Sequence, residues 1–270
     1  MRINTNLNAM IATNQMSKNT ALAGSSMEKL STGLRITKAG DDAAGLAVSE
    51  KMRAQIRGME QAERNVQDGI SMVQTAEGAL EEAGNIAQRM RELGVQAGND
   101  TLSAEDRTKV KEELTQLQDE MKKISEETKF NGKQLLNTAG TFTIQAGADS
   151  ETRIVKTENL SSIATNLSLT STNISNTTEA QNFVKKVDTA LSSINDARSA
   201  LGAMQNRLEY TANNLTTSTE NLTAAESRIR DVDVAKEMVT LSKLNILNQA
   251  SQAMVSQAKQ QPESVSQLLR

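Results

Sequence analysis

Several residue types that build catalytic and metal sites are missing from this chain. Its 270 residues include no cysteine, no histidine and no tryptophan, and only one proline and one tyrosine. Without His or Cys, a Ser-His-Asp triad, the usual zinc ligand sets and a disulfide framework are excluded. Acid or base catalysis by Asp, Glu, Lys or Tyr would need a desolvated pocket, and the helical pattern described below offers none. We therefore expect no enzyme, no catalytic residue, no cofactor and no metal site.

Strong charge and long apolar runs are also lacking. The net charge is −3 and the pI is about 5.3, with no basic block, which argues against a nucleic-acid partner. No run of about 18 apolar residues exists that could span a membrane. The first residues carry one positive charge and no apolar stretch, so we expect no cleaved secretory signal.

A seven-residue repeat dominates what is present. Since the single proline is Pro262, long helices are permitted over most of the chain. Between residues 184 and 229, apolar residues recur at every seventh position and in an intermediate row, as in a coiled-coil seam. The seven-step row is Val187, Ile194, Leu201, Leu208, Leu215, Leu222 and Ile229, and the intermediate row is Val184, Leu191, Met204 and Ala212.

Two further ladders supply partners for that seam. One steps by seven through Met52, Met59, Val66, Val73, Leu80, Ala87 and Gly94, and a shorter one runs through Val110, Leu114, Leu117, Met121 and Ile124. Apolar seams of this kind pack against one another. The sequence therefore predicts a mainly α fold, an elongated coiled-coil-like bundle of N- and C-terminal helices about three helices wide.

Both ends of the chain are predicted to be helical and to take part in self-association. Residues 3–30 carry a weak apolar stripe, whereas residues 231–270 carry two apolar stripes on adjacent faces. Two apolar faces need two partners, of which one is the N-terminal helix and the other is another copy of the chain. The predicted self-assembly residues are Ile3, Leu7, Met10, Ile11, Leu244, Leu247, Met254, Val265 and Leu268.

The period changes in the middle of the chain. Phe142, Ile144 and Ala146 alternate with polar residues before a turn, and an apolar pair returns at residues 154–155, which predicts a β-hairpin at about 141–157. Residues 157–178 are rich in Ser, Thr and Asn and predict an exposed surface connector with little core of its own.

Several segments resemble the N- and C-terminal signatures of bacterial flagellin. They are spread over nearly the whole chain, and they lie at residues 3–7, 30–36, 38–46, 130–133 and 227–233, with the sequences INTNL, LSTGLRI, KAGDDAAGL, FNGK and SRIRDVD. The resemblance implies a filament-core domain made of residues 1–44 and 230–270 with its connector, and a rod domain at 45–229. It also implies a short flagellin, because only the connector stands where outer domains are inserted in that family.

The function implied by the resemblance is that of a structural subunit that polymerises into the bacterial flagellar filament for swimming motility. Such a subunit is secreted without a cleaved signal and resides in the extracellular filament. The implied partners are further copies of the chain, a flagellar export chaperone, and the filament cap and hook-junction proteins. No nucleic acid and no membrane are among them.

Recognition by the vertebrate Toll-like receptor for flagellin is a further implication of the resemblance. Residues 88–96 resemble the receptor-binding motif of that family, and Arg89, Leu93, Gln96 and Glu113 are the positions carried over. Gly94 departs from the motif because it has no side chain to offer.

Two alternatives remain open at this stage. A hook-filament junction protein shares flagellin-like ends but forms a limited ring. A cytoplasmic coiled-coil scaffold would stay inside the cell as a fixed oligomer.

Overall fold

The fold is mainly helical, as the sequence predicts. The computed structural model describes residues 6–167, 174 and 176–268, with side chains described as far as residue 260. The elements in chain order are α1 (Leu7–Thr32), α2 (Ala43–Ala97), α3 (Ala104–Glu127), β1 (Lys129–Phe130), β2 (Lys133–Gln134), β3 (Gly140–Gln145), β4 (Thr152–Thr157), α4 (Leu160–Asn166), α5 (Thr177–Arg230) and α6 (Val234–Leu268).

The chain divides into two compact units. The smaller unit combines Met1–Ala54 with Asn221–Arg270, and the larger unit is Gln55–Glu220. The sequence prediction places the domain limits at residues 44–45 and 229–230, close to the first residues of α2 and the last of α5. The two units divide at residues that belong to α2 and α5.

The predicted ladders form the core of the larger unit. On α5 the seven-step row is buried from Val187 to Leu215, whereas Leu222 and Ile229, which belong to the smaller unit, are only half-buried. The corresponding buried residues on the other two helices are Met59, Val66, Val73, Leu80 and Ala87 on α2, and Val110, Leu114 and Met121 on α3. The row of buried apolar residues is therefore continuous along the larger unit, whereas its last two residues, in the smaller unit, are partly exposed.

Two glycines of α2 permit close approach of neighbouring elements. A Cβ atom placed on Gly69 would overlap Cδ1 of Ile144 on β3. A Cβ atom placed on Gly94 would lie 3.0 Å from side-chain carbons of both Phe183 and Val184 on α5. The absence of a side chain at Gly94, where the sequence departs from the receptor-binding motif, thus has a packing reason.

The β-hairpin is confirmed, and a second pair of short strands accompanies it. Strands β3 and β4 pair antiparallel, with Phe142 opposite Val155. Strands β1 and β2 also pair antiparallel across the turn formed by Asn131 and Gly132, whose φ angles are 48° and 78°. Positive φ at both positions is what an Asn-Gly hairpin turn requires.

The prediction of an exposed connector at residues 157–178 is wrong in part. This segment contains helix α4, which is capped by the Asn159 side chain accepting from the Ser162 amide at 2.9 Å. Leu160, Ala164 and Leu167 are at most 2% exposed, as is Ile174 further along. The segment therefore adds to the core of the larger unit, next to α3. Residues 168–173 and 175 of the predicted connector lie outside the described residues.

Candidate self-assembly surface

The first and last helices pack on each other as an antiparallel pair. The Asn6 side chain donates to the Ala258 carbonyl at 2.7 Å, and Thr20 lies 3.5 Å from the Asn248 side-chain oxygen, so residue numbers rise on one helix as they fall on the other. Asn6 is also the N-cap of α1, where its Oδ1 accepts from the Ala9 amide at 3.0 Å. One side chain therefore starts α1 and fastens that start to α6.

The other end of this helix pair is fixed by the backbone. The Arg35 amide donates to the Arg230 carbonyl at 2.6 Å, and the Val232 amide donates to the Gly33 carbonyl at 3.0 Å. Gly33 has a φ of 71° and ends α1 in the left-handed conformation that favours glycine. The chain leaving α1 and the chain entering α6 are thus held together like two short strands.

Two carboxylates support these connections. The Asp41 side chain accepts from the Thr37 and Lys38 backbone amides at 3.1 Å, and these hydrogen bonds lower the pKa of Asp41. The Glu50 carboxylate accepts from Arg230 at 2.6 Å, and that hydrogen bond lowers the pKa of Glu50. Both groups are therefore stabilised in their charged forms.

Packing covers only one side of the helix pair. Among the described residues, most of the large hydrophobic side chains that remain exposed belong to α1 or α6. They are Leu7, Met10, Ile11, Leu22, Met27, Val234, Met238, Val239, Ile246, Leu247 and Met254. Val239 reaches 70% exposure and Ile246 65%. We call this set the terminal apolar surface.

The terminal apolar surface contains two depressions. One of about 590 Å³ lies between the two helices and is lined by Ile11, Gln15, Leu247 and Met254 among others. A second lies on α6 alone, where Met238, Val239 and Ile246 meet Leu247. Apolar depressions of this kind can accept side chains of a neighbouring molecule.

The predicted self-assembly residues fall into three groups, which are exposed, not described by the structure, and buried within the subunit. Leu7, Met10, Ile11, Leu247 and Met254 are exposed on the terminal apolar surface, so their role in assembly stays a prediction that their position allows. Ile3 lies outside the described residues, and α6 includes Val265 and Leu268 in its backbone but their side chains are not described.

Leu244 requires a correction. Its side chain is only 8% exposed, so it packs within the subunit and is not available to a neighbouring copy. Conversely, the prediction omitted exposed residues such as Leu22, Val234 and Val239. The spacing of four between Val234 and Met238, at the start of α6, was the signal that could have found part of this set.

The residues carried over for receptor recognition lie on α2 and α3 in the larger unit. Arg89 bonds Glu113 at 2.8 Å and Glu92 at 3.1 Å, and these hydrogen bonds, that of Glu113 first, raise the pKa of Arg89. Gln96 is exposed. Leu93 is only 2% exposed, so its predicted surface role is inconsistent with its burial. Receptor recognition through Arg89, Gln96 and Glu113 stays a prediction.

Sites of other kinds are not found in the part of the chain that the structure describes. No group of three or more Asp and Glu side chains there is arranged to hold a metal ion. In that same part, no helix combines the length and the apolar character needed to cross a bilayer.

A helical chain whose two ends pair and present an apolar outer surface defines a class, namely structural subunits that associate with further copies. Comparison with known proteins agrees with this class. The family described as the bacterial flagellin N-terminal helical region matches residues 3–141, and the flagellin C-terminal helical region matches residues 184–269.

Individual relatives match along their whole length. A flagellin of Halalkalibacterium halodurans is 54% identical over 275 residues, and a flagellin of Bacillus subtilis is 48% identical over 306 residues, with all of each chain covered. A crystal structure of Bacillus cereus flagellin is 36% identical, covers 60% of this chain and 94% of its own, and has a TM-score of 0.52.

The chain belongs to the bacterial flagellin family. It is a structural subunit of the flagellar filament, which lies outside the cell and serves swimming motility. Only residues 158–176 separate β4 from α5, which confirms a short form without outer domains. Full-length identity to flagellins favours this function over the junction-protein and scaffold alternatives.

Proposed function

We propose that the subunit polymerises by burying its terminal apolar surface against the same helices of neighbouring copies. The observation that carries the proposal is the concentration of exposed large hydrophobic side chains on α1 and α6. In the larger unit, the corresponding ladders are buried within the chain itself. The smaller unit therefore holds most of the exposed large hydrophobic side chains that assembly could bury.

The energetic gain from such contacts is large. Burying one Leu, Ile or Met side chain fully contributes roughly 1.5–3 kcal/mol. Val239 and Ile246 are 70% and 65% exposed and would recover most of that contribution in a lattice. Association also costs translational and rotational freedom, so many such residues must be buried together. A surface spread along two helices of 26 and 35 residues provides them.

The geometry of the pair favours an open polymer. The surface is made of two different helices, so the patch that one copy offers need not be the patch that its neighbour uses. Contacts between unlike patches are heterologous, and they build helical filaments when the rotation does not close. This is the arrangement that a filament of unlimited length requires.

The decisive test is a charge placed in the surface. Leu247 is 39% exposed and lines both depressions. Leu247→Asp would therefore place a carboxylate in the contact between neighbouring subunits. We expect the purified full chain with this substitution to form no filaments in sulfate. Ile154→Asp is the matched control, because Ile154 is 51% exposed on β4, in the larger unit.

Negative-stain electron microscopy gives the result, and circular dichroism shows whether each variant keeps its helices. We expect long uniform filaments from the wild type and from Ile154→Asp, and helical but unpolymerised Leu247→Asp. Normal filaments from Leu247→Asp would refute the proposal.

The other partners implied by the family are proposed on the same surface. An export chaperone would cover the apolar side of α6 before assembly, because an exposed surface of this size promotes aggregation of free subunits. The filament cap and the hook-junction proteins would meet the first and last subunits of the polymer through the ends of α1 and α6.

A further inference from the structure

The methionines of this chain are unevenly distributed between its two units. Met1 lies outside the described residues, and of the eleven methionines that the structure describes, four are 50–60% exposed, all on α1 or α6: Met10, Met27, Met238 and Met254. Four others are at most 9% exposed, and all lie on α2 or α3 in the larger unit: Met59, Met72, Met90 and Met121. Met16, Met52 and Met204 are half-buried. The most exposed of the described methionines therefore lie on the terminal apolar surface.

Methionine sulfur is the main side-chain target that this composition offers to oxidants. The chain has no cysteine, no tryptophan and no histidine, so the side chains that usually compete for two-electron oxidants are absent. A methionine sulfur attacks one oxygen of hydrogen peroxide, an S–O bond forms, the O–O bond breaks and water leaves. The sulfur is oxidised by two electrons, the peroxide is reduced, and the product is methionine sulfoxide.

We propose that Met10, Met27, Met238 and Met254 form an oxidation site at which peroxide converts the subunit into a form that does not polymerise. The inference rests on the proposed function, since it requires that these side chains become buried on assembly. A sulfoxide is polar and a strong hydrogen-bond acceptor, so its burial in an apolar contact is unfavourable.

Neighbouring residues show why the change would matter. Met254 lines the depression between α1 and α6 together with Ile11 and Leu247. Met238 lines the depression on α6 with Val239 and Ile246. Oxidation at these two positions places a polar group among the aliphatic side chains whose burial drives assembly.

The same geometry limits oxidation to one state of the protein. Free subunits expose the four methionine side chains, whereas a lattice formed through the terminal apolar surface covers them. We therefore expect peroxide to modify free subunits and to spare assembled filaments. The modification is reversible, because methionine sulfoxide reductases restore the thioether.

The test begins with hydrogen peroxide and the purified full chain. Peptide mass mapping should show about 16 Da added at each of the four exposed methionines and unmodified sulfur at the four buried ones. We expect the treated subunits to polymerise in sulfate at least about tenfold more slowly than untreated subunits, and to recover after treatment with reductases for both sulfoxide epimers.

Two sets of variants assign the effect to particular sulfur atoms. The first carries Met→Leu at residues 10, 27, 238 and 254, and the matched control carries Met→Leu at residues 16, 52 and 204. Each protein is compared with its own untreated sample. We expect the treated-to-untreated ratio of polymerisation rates to be close to one for the first set, and the control to keep the full loss.

The outcomes separate this inference from the proposed function. Treated wild-type chains that carry the four sulfoxides and still polymerise at the untreated rate would overturn the inference. A map in which these four sulfur atoms are no more oxidised than the buried ones would also overturn it. In both cases, failure of Leu247→Asp to form filaments would leave the proposed function standing, and normal filaments from Leu247→Asp would remove both.

Discussion

Asn6 shows how much a single side chain decides in this molecule. Its carbonyl oxygen caps α1 by accepting from the Ala9 amide, and its amide group donates to the Ala258 carbonyl on α6. Asn6 itself was noted in the sequence only as part of the segment that resembles the family signature, and the structure supplies a physical role for it. Chain ends normally fray unless they are fastened in this way.

The two roles of Asn6 can be separated by substitution. Asn6→Ala removes both the cap and the bond to α6, and we expect the first turn of α1 to open more easily by roughly 1.5–3 kcal/mol. Asn6→Ser keeps an N-cap oxygen but is too short to reach Ala258, so we expect roughly half of that loss. Hydrogen exchange of the first α1 amides, Ala9 included, measures both. Equal protection in the wild type and in Asn6→Ala would contradict the role assigned to the side chain.

At the scale of elements, the packing of α2 depends on where its glycines lie. A Cβ atom on Gly94 would lie 3.0 Å from side-chain carbons of Phe183 and Val184, a tighter contact than usual, whereas a Cβ atom on Gly78 would meet nothing within 4 Å. Both residues belong to the interior of the same helix. Substitutions at these two glycines therefore separate the effect of packing on stability from the effect of helix propensity.

We expect Gly94→Leu and Gly78→Leu to have opposite effects. Leucine is a better helix former than glycine by up to about 1 kcal/mol, so Gly78→Leu should leave stability unchanged or raise it. At Gly94 the same gain is outweighed by overpacking, which costs roughly 1–3 kcal/mol or more for a large side chain. Urea unfolding followed by circular dichroism measures both variants. A Gly94→Leu protein as stable as Gly78→Leu would show that α5 moves aside without cost.

The sequence predicts a helix where its apolar repeat is long, and it misses a helix where the repeat is short. The α5 ladder repeats over six heptads, so the buried face from Val187 to Leu215 follows from spacing alone. Helix α4 has seven residues, and its two buried apolar residues, Leu160 and Ala164, stand in a Ser/Thr-rich stretch that gives no periodic signal. A segment of that length is recognised only by what it packs against.

The sequence predicted which helix carries the candidate surface, but it did not predict which residues of that helix are exposed. Helix α6 carries apolar residues on adjacent faces, and nothing in their spacing shows which face α1 covers. Leu244 and Leu247 are three residues apart, yet the first is buried within the subunit and the second is exposed. Leu93 fails for a similar reason, because a resemblance carries over a position but not the packing around it.

At the scale of the whole molecule, the titratable groups set a simple pH dependence. The chain has no histidine and no cysteine, so no side chain titrates near pH 7 at its ordinary pKa. The carboxylates of Asp41, Glu50, Asp100 and Asp106 all have a lowered pKa in the folded chain, for Glu50 because Arg230 donates to it. The stability that these groups contribute is complete above their unfolded pKa and is lost as the pH falls through the lower folded pKa.

We therefore expect the midpoint of thermal unfolding to be constant between about pH 6 and 8 and to fall below about pH 4. Glu50→Gln, which removes one of these charges, should be less stable than the wild type at neutral pH and should lose less on acidification. Scanning calorimetry across this range tests both statements. A midpoint that rises on acidification would show that repulsion among carboxylates outweighs the bonds described above.

The bond between Asn6 and Ala258 joins residues 252 positions apart in the chain. At about 5–20 residues per second, the ribosome would complete Ala258 roughly 13–50 s after Asn6. For most of that interval α1 has been made and its partner α6 has not been started. The N-terminal segment is therefore made long before the surface that holds it, and the smaller unit cannot close until α6 has been synthesised.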